Sequence, residues 1–414
     1  MATSKTVLVI GTGDTKAPEL ECLRETIEAK GGRAMIMDVG VMGVPSFRPV
    51  ISNDEVALAA DSSIAELIAM DNENDSMSAM ARGAARIARR LFDDGEIDAM
   101  LALGGTMGTD LAFDVALAFP LGVPKVVVSS VAFSHLIPPE RIAADLMMIS
   151  WAGGLWGVNS ISRSVLEQAA GAAFGAIRPT GAVRLEKPAI AVSALGQASL
   201  KYMRRLEPAL TSRGYDVIVV HTVGIGGRAM EVLIDQGMFV AVLDLSLIEI
   251  SDDVLESCVT AGDSRLRTAG SKSIPQIVAP GAIDGLDFAT WQGVPVASEG
   301  LEHHAHNRLI SVARMIKEQR RDAALGICER LNGAQGPTKF ILPLNGFDEW
   351  DRPDGPLHDP EGHAEQVEVF RAHLDDRIDL IEMEAHINDD AFVDWVLQEL
   401  DAWIAEGVVP RAEP

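Results

Sequence analysis

Cysteine is scarce: Cys22, Cys258 and Cys328 are the only three in 414 residues, far apart and without C-x-x-C spacing. That pattern excludes a disulfide framework and offers no zinc-ligand motif, so the three are read as buried thiols. Aromatic residues make up only 5% of the chain. The cores must therefore be filled mainly by Ala, Val, Ile, Leu and Met, which suits parallel sheets covered by helices. Positive charge is also short, with 35 Lys and Arg against 60 Asp and Glu, a formal net charge of −25. This balance argues against a nucleic-acid partner, which needs clustered Lys and Arg along its phosphates. A single nucleotide is still compatible, because a local set of backbone N–H groups can hold its phosphates. No apolar run reaches the roughly 20 residues of a bilayer span. "MATSKTVLVIG" passes into a strand-like run without a cleavage signal, so the expectation is a cytoplasmic protein with no membrane partner. There is no G-x-S-x-G nucleophile elbow, and no cysteine is placed for nucleophilic catalysis.

The length favours two domains. Short β-branched runs alternate with segments of helical period: TVLVI (6–10), a helix after Pro18, AMIMDVG (34–40), a helix over 80–95, IDAMLALGG (97–105), KVVVSS (125–130) and a strand at 146–150. A Pro- and Gly-containing stretch at 178–188 reads as a linker. The pattern then restarts with AIAVSALG (189–196), a helix over 200–214, YDVIVVHT (215–222), GIGGRAMEVLIDQG (224–237) and FVAVLDLS (239–246). Near the end, LIEMEAHIND resembles an edge strand and loop, with room for a chain reversal, and residues 390–407 a closing helix. The expected fold class is α/β: two Rossmann-like domains, 1–182 and 183–414, each a mainly parallel sheet flanked by helices.

Ligands of such sheets bind beyond the carboxyl ends of the strands, where each glycine motif of this chain lies. The first, GTGDTK, supplies Gly11, Thr12, Asp14, Thr15 and Lys16. It is neither G-x-G-x-x-G nor a Walker A loop, and taken alone it is equally a phosphate turn or a structural bend. The second, LGGTMGTD, supplies Gly104, Gly105, Thr106, Gly108 and Thr109, a nest of N–H groups with hydroxyls that favours phosphate if the two loops face one another. The third, HTVGIGGRAME, places His221 before Gly224, Gly226, Gly227 and Arg228, with Asp244 and Glu249 across the next strand. A histidine beside carboxylates can do acid/base work or hold a divalent ion, or can simply be a hydrogen-bonded pair. LEHHAHN, with three histidines, reads as a solvated loop.

These blocks, with NSISR, AGDSRLRTAG, IPQIVAPGAIDGLDF and AHIND in the same order, resemble the Tm-1-like ATP-binding family, UPF0261, over nearly the whole chain. The resemblance implies two Rossmann-like domains, ATP binding with Mg2+ as its companion ion, and a homodimer. It assigns Gly11, Thr12, Asp14, Thr15, Lys16, Gly104, Gly105, Gly108 and Thr109 to the nucleotide, and it matches His221, Gly224, Gly226, Gly227, Glu231, Asp244 and Glu249 to the second-domain motif. HTVG stands where H-A-T-G is usual, Leu247 and Ile248 interrupt a threonine run, and GFD replaces G-x-S. Glycines survive where hydroxyls do not, which suggests a preserved fold and a changed second-domain ligand. Two functions follow. One is ATP as ligand or regulator. The other is a hydrolase- or lyase-type enzyme acting on a small carboxylate or sugar-derived acid in the cleft between the domains, with His221 as base or metal ligand, Asp244 or Glu249 orienting it, and Gly224, Gly226, Gly227 and Arg228 at the substrate.

Overall fold

A computed structural model describes residues 5–138, 141–178 and 182–413. Residues 179–181 of the expected linker lie outside the described residues. The chain divides into two compact units, Met1–Arg184 and Leu185–Pro414.

In the N-terminal unit the elements follow as β1 (Thr6–Gly11), α1 (Gly13–Ala29), β2 (Arg33–Asp38), α2 (Asn53–Ala59), α3 (Ile64–Ala69), α4 (Glu73–Asp93), β3 (Ala99–Gly104), α5 (Thr106–Leu117), β4 (Lys125–Ser129), β5 (Leu146–Ser150) and α6 (Ser160–Gly175). The sheet order is β2-β1-β3-β4-β5, and every pairing is parallel. β1, β3 and β4 are buried along their whole length, as a strand covered on both faces must be. One face packs Leu8, Ile10, Met100 and Ala102 against α4 and α5, and the other packs Val7, Val9, Leu101 and Leu103 against α1 and α6. The strand order reverses between β1 and β3, so the loops after them flank the crevice where ligands of open α/β sheets sit.

The C-terminal unit runs β6 (Ala189–Ala194), α7 (Gly196–Ser212), β7 (Asp216–His221), α8 (Ile225–Asp235), β8 (Ala241–Asp244), α9 (Ile248–Val254), α10 (Thr268–Ser271), β9 (Gln276–Val278), β10 (Gly285–Ala289), β11 (His303–Ala305), β12 (Ile310–Arg314), α11 (Lys317–Leu331), β13 (Thr338–Pro343), α12 (Pro360–His373), β14 (Asp379–Met383) and α13 (Asp390–Glu406). Six strands form a parallel sheet in the order β14-β13-β9-β8-β6-β7, which reverses between β6 and β8. β10, β12 and β11 make a separate antiparallel sheet.

Both parallel sheets are therefore as expected. Two local readings are corrected. LEHHAHN is not a plain loop, since His303–Ala305 pairs antiparallel with β12. β14 is an edge strand, but it pairs parallel with β13, so the chain does not reverse there.

Candidate functional site

In the N-terminal unit the two glycine loops line one cavity of about 700 Å³, together with Val41, Met42, Leu67, Ile68 and Met77. They differ in what their helices offer. At α1, Gly13 N–H donates to Asp38 Oδ1 at 2.7 Å, and Thr15 and Lys16 N–H turn back to the Thr12 carbonyl. Asp38 also accepts from Gly40 N–H at 2.9 Å. Its burial pushes the carboxyl up while these two N–H groups pull it back. A protein carboxylate thus already occupies the N-terminus of α1.

α5 is open. Gly105 caps it without a side-chain hydrogen bond, and the first three N–H groups, of Thr106, Met107 and Gly108, have no acceptor among the described residues. Such orphan donors at the positive end of a helix dipole form an anion site. Gly104 makes the close turn possible: a Cβ there would lie 2.6 Å from Gly108 Cα.

The other assigned residues divide. Thr12 and Thr15 hydroxyls bond one another at 2.7 Å, and both line the cavity. Asp14 takes Met42 N–H at 2.8 Å, while its Oδ1 is buried without a hydrogen-bond partner among the described residues. Lys16 lines the cavity too, but its Nζ donates to the Leu155 carbonyl at 2.6 Å and lies 4.9 Å from the Trp156 ring centre. Thr109 is 1% exposed with its hydroxyl on Ser129, and Gly11 is buried at the end of β1, so neither faces the cavity.

In the C-terminal unit the expected acidic pair does other work. Asp244 and Glu249 hold Arg265, which is fully buried. Arg265 Nη2 donates to Asp244 Oδ1 at 2.7 Å, Nη1 donates to Asp244 Oδ2, and Nε donates to Glu249 Oε2 at 2.8 Å. Glu231 approaches the same guanidinium at 3.6 Å and takes Leu266 and Thr268 N–H. Burial pushes Glu249 up, and Arg265 pulls it back. Its other oxygen accepts from Gly224 and Gly227 N–H at 2.6 and 3.0 Å. Gly224 and Gly227 are thus occupied from within. No hydrogen bond joins Asp244 or Glu249 to His221 among the described residues, so the expectation that they orient it gives way to a clamp on Arg265. Arg228 has a buried Nε without a hydrogen-bond partner among the described residues.

His221 itself is exposed at the end of β7. It lines a cavity of about 160 Å³ whose walls include Gly196, Gln197, Ala198, Asp287, His306, Asp348 and Trp350, all of the C-terminal unit. Here α7 is the open helix: Gly196, Gln197 and Ala198 N–H have no acceptor among the described residues. Asp348 is buried and pushed up to about 7, chiefly by burial and then by Asp351. Asp287 is likewise pushed up to about 7, by burial and by Asp348. Two carboxyls that change protonation near neutrality, with an imidazole on the same wall, can move protons at pH 7. His306 packs against Trp350, ring centres 5.6 Å apart. His221 belongs to no group of three metal-binding side chains among the described residues.

Sequence comparison places the whole chain. Residues 5–181 match the profile of the Uncharacterised protein family (UPF0261) N-terminal domain, and residues 187–404 match its C-terminal domain. The chain belongs to the UPF0261 family. It is 46% identical over 408 residues to a UPF0261 protein of Brucella melitensis, covering 99% of this chain and 98% of that one. A UPF0261 protein of Clostridium tetani is 33% identical over 394 residues, covering 94% and 96%. The ToMV resistance protein Tm-1(GCR237) of Solanum lycopersicum is 27% identical over 413 residues, which are 94% of this chain and 54% of that protein.

Asp287, Asp348 and the open end of α7 were missed from the UPF0261 sequence. Asp287 lies in IDGLDF and Asp348 in GFD, both noted as blocks, but only the fold brings β10 and the loop after β13 onto the cavity of His221.

Proposed function

We propose that this UPF0261 protein binds ATP in its N-terminal unit, as ligand or regulator, with the phosphates on the N-terminus of α5. The observation that carries this reading is the set of three N–H groups, of Thr106, Met107 and Gly108, without acceptors among the described residues, at a cavity lined in part by apolar side chains. Phosphate oxygens satisfy such donors, and Val41, Met42 and Leu67 suit a base. Mg2+ fits the same cavity: Asp14 carries an orphaned buried oxygen, and Asp71 and Glu73 line the wall. Mg2+ takes one or two carboxylates plus phosphate oxygens, and it offsets phosphate charge beside these acids. Titration calorimetry with ATP, with and without Mg2+, tests the reading. Saturable binding supports it, and absence of heat and of retained nucleotide after gel filtration refutes it.

A second reading rests on a different observation, the open α7 N-terminus in the same cavity as His221, Asp287 and Asp348. In it the C-terminal unit acts on a small acid. The substrate's carboxylate takes Gly196, Gln197 and Ala198 N–H, while His221 and the two carboxyls exchange protons with it. A turnover screen over small carboxylates and sugar acids tests this, and no turnover together with no density in soaked crystals refutes it.

A further inference from the structure

We infer that Asp284, Asp351 and His363 form a binding site for one divalent transition-metal ion in the C-terminal unit. The three come from separate places: the residue before β10, the short turn Glu349–Asp351, and the first turn of α12. One ligand atom from each lies within 4.8 Å of the other two. An ion making bonds of about 2.0–2.2 Å draws such a set together.

The case rests on where their hydrogen bonds stop. Asp284 is 1% exposed. Its Oδ1 accepts from Arg320 Nη1 at 2.6 Å, and its Oδ2 is buried with no hydrogen-bond partner among the described residues. His363 Nε2 lies 3.1 Å from the Leu344 carbonyl. A carbonyl only accepts, so the ring proton is on Nε2 and the lone pair on Nδ1. Nδ1 too is buried with no hydrogen-bond partner among the described residues. An orphaned carboxylate oxygen and an orphaned imidazole lone pair repel one another in a protein interior, and a shared cation satisfies both.

Each ligand is also held from behind, as metal ligands are. The Leu344 carbonyl fixes the His363 tautomer, and Arg320 fixes Asp284. Asp351 Oδ2 accepts from Phe347 and Asp348 N–H, and its Oδ1 meets His386 Nε2 at 2.9 Å. Gly346 has φ +130, and a Cβ there would lie 2.4 Å from Asp351 Oδ1, so only glycine leaves that carboxylate in place.

Two carboxylates and one imidazole are a mixed oxygen and nitrogen set, which suits Mn2+, Co2+ or Zn2+ better than Ca2+, with its six to eight oxygen ligands. Three protein ligands leave open positions for water or substrate. The three line a cavity of about 520 Å³ with His358, Asp359 and Glu384, which gives the ion access. This site is separate from the metal role expected of His221 and does not depend on the nucleotide reading.

The full-length protein, stripped with EDTA and dialysed, is titrated with Co2+ by visible absorption and analysed for bound Mn2+ and Zn2+ by mass spectrometry. One ion per chain is expected. His363→Gln and Asp284→Asn each lower affinity at least roughly tenfold, the loss that even outer partners of such sites produce. His373→Gln, exposed at the far end of the same helix, leaves affinity unchanged. Circular dichroism reports whether each variant folds. Should a variant not fold, pulsed electron paramagnetic resonance on the Mn2+-loaded wild type decides, with nitrogen coupling from one imidazole expected. Substoichiometric uptake, affinity unchanged in folded His363→Gln, or no nitrogen coupling overturns the assignment.

Discussion

Gly105→Asp separates phosphate binding from folding. Gly105 sits at the N-cap of α5 with φ −76 and ψ −153, an extended conformation open to any residue. A Cβ added there meets only Ser130 Oγ, at 3.8 Å. An aspartate at this position accepts from the N–H two or three residues on, those of Met107 and Gly108, as N-cap carboxylates do. Replacing Gly by Asp at an N-cap is worth a few tenths of a kcal/mol, and the helix dipole adds about 0.3–1 kcal/mol. The melting temperature is therefore expected to hold or rise slightly. For ATP the same change removes two donors. Hydrogen bonds to a charged group contribute about 1.5–3 kcal/mol each, or about 3–6 kcal/mol together. At about 1.4 kcal/mol per tenfold, that is at least roughly a hundredfold in affinity, and the new carboxylate repels phosphate as well. Gly105→Ala keeps every N–H free and is expected to bind within a few-fold of wild type. Calorimetry with ATP and a thermal melt of each protein give both readouts. Gly105→Asp protein that melts normally and binds ATP as wild type does would refute the placement of phosphate on α5.

Lys16→Ala is expected to weaken ATP roughly tenfold by calorimetry, because one Nζ donor is spent on Leu155 while the ammonium still lines the cavity; unchanged affinity would make Lys16 a strut only. Arg265→Met strips the counter-charge from Asp244, Glu249 and Glu231, and loss of one partner of a buried ion pair costs about 3–5 kcal/mol; a urea-unfolding change below about 1 kcal/mol contradicts the clamp. Cys258 reaches the surface, which corrects its reading as a buried thiol. Its Sγ lies 3.8 Å from the Asp287 carbonyl, and desolvation, then Asp252 and Asp287, push the thiol up to about 11. Since the thiolate is the nucleophile, its alkylation rate is expected to rise about tenfold per pH unit until near 11, and a plateau near pH 9 would contradict this. A homodimer is expected in solution, and sedimentation of a 44.2 kDa particle at micromolar concentration refutes it.

The alternation of strands and helices was legible because buried parallel strands are short apolar runs, and here they end on glycines that turn the chain into a helix. That the Gly11 and Gly104 loops face one another was expected only on condition that their strands are adjacent, and the pairing of β1 with β3 supplies that condition. What the sequence hid is which helix end is free. Asp38 reaches Gly13 from the end of the neighbouring strand β2, and Glu249 reaches Gly224 from the first turn of α9, each across 25 residues of chain. Such caps depend on strand order, which local pattern does not contain. Arg265 lay in plain view in AGDSRLRTAG, but only burial shows that it consumes the acidic pair assigned to His221. β11 and β12 are three and five residues long, too short to show period-two alternation beside three histidines.

The carboxylates at α1 and α8 bear on how a ligand can lie. Asp38 stoppers the helix end beside β1 and leaves the one beside β3 bare; Glu249 stoppers the end beside β7 and leaves the one beside β6 bare. In each crevice the two helix ends therefore differ: one has N–H groups taken up by a protein carboxylate, and the other has N–H groups without acceptors among the described residues. A molecule with a negative end and a neutral end has a single way in. On the proposed reading, in the N-terminal unit the charged head lies on the Thr106 end of the cavity and the uncharged body on Val41 and Met42. On that reading, the direction in which a ligand lies is built into the backbone before any side chain selects among ligands.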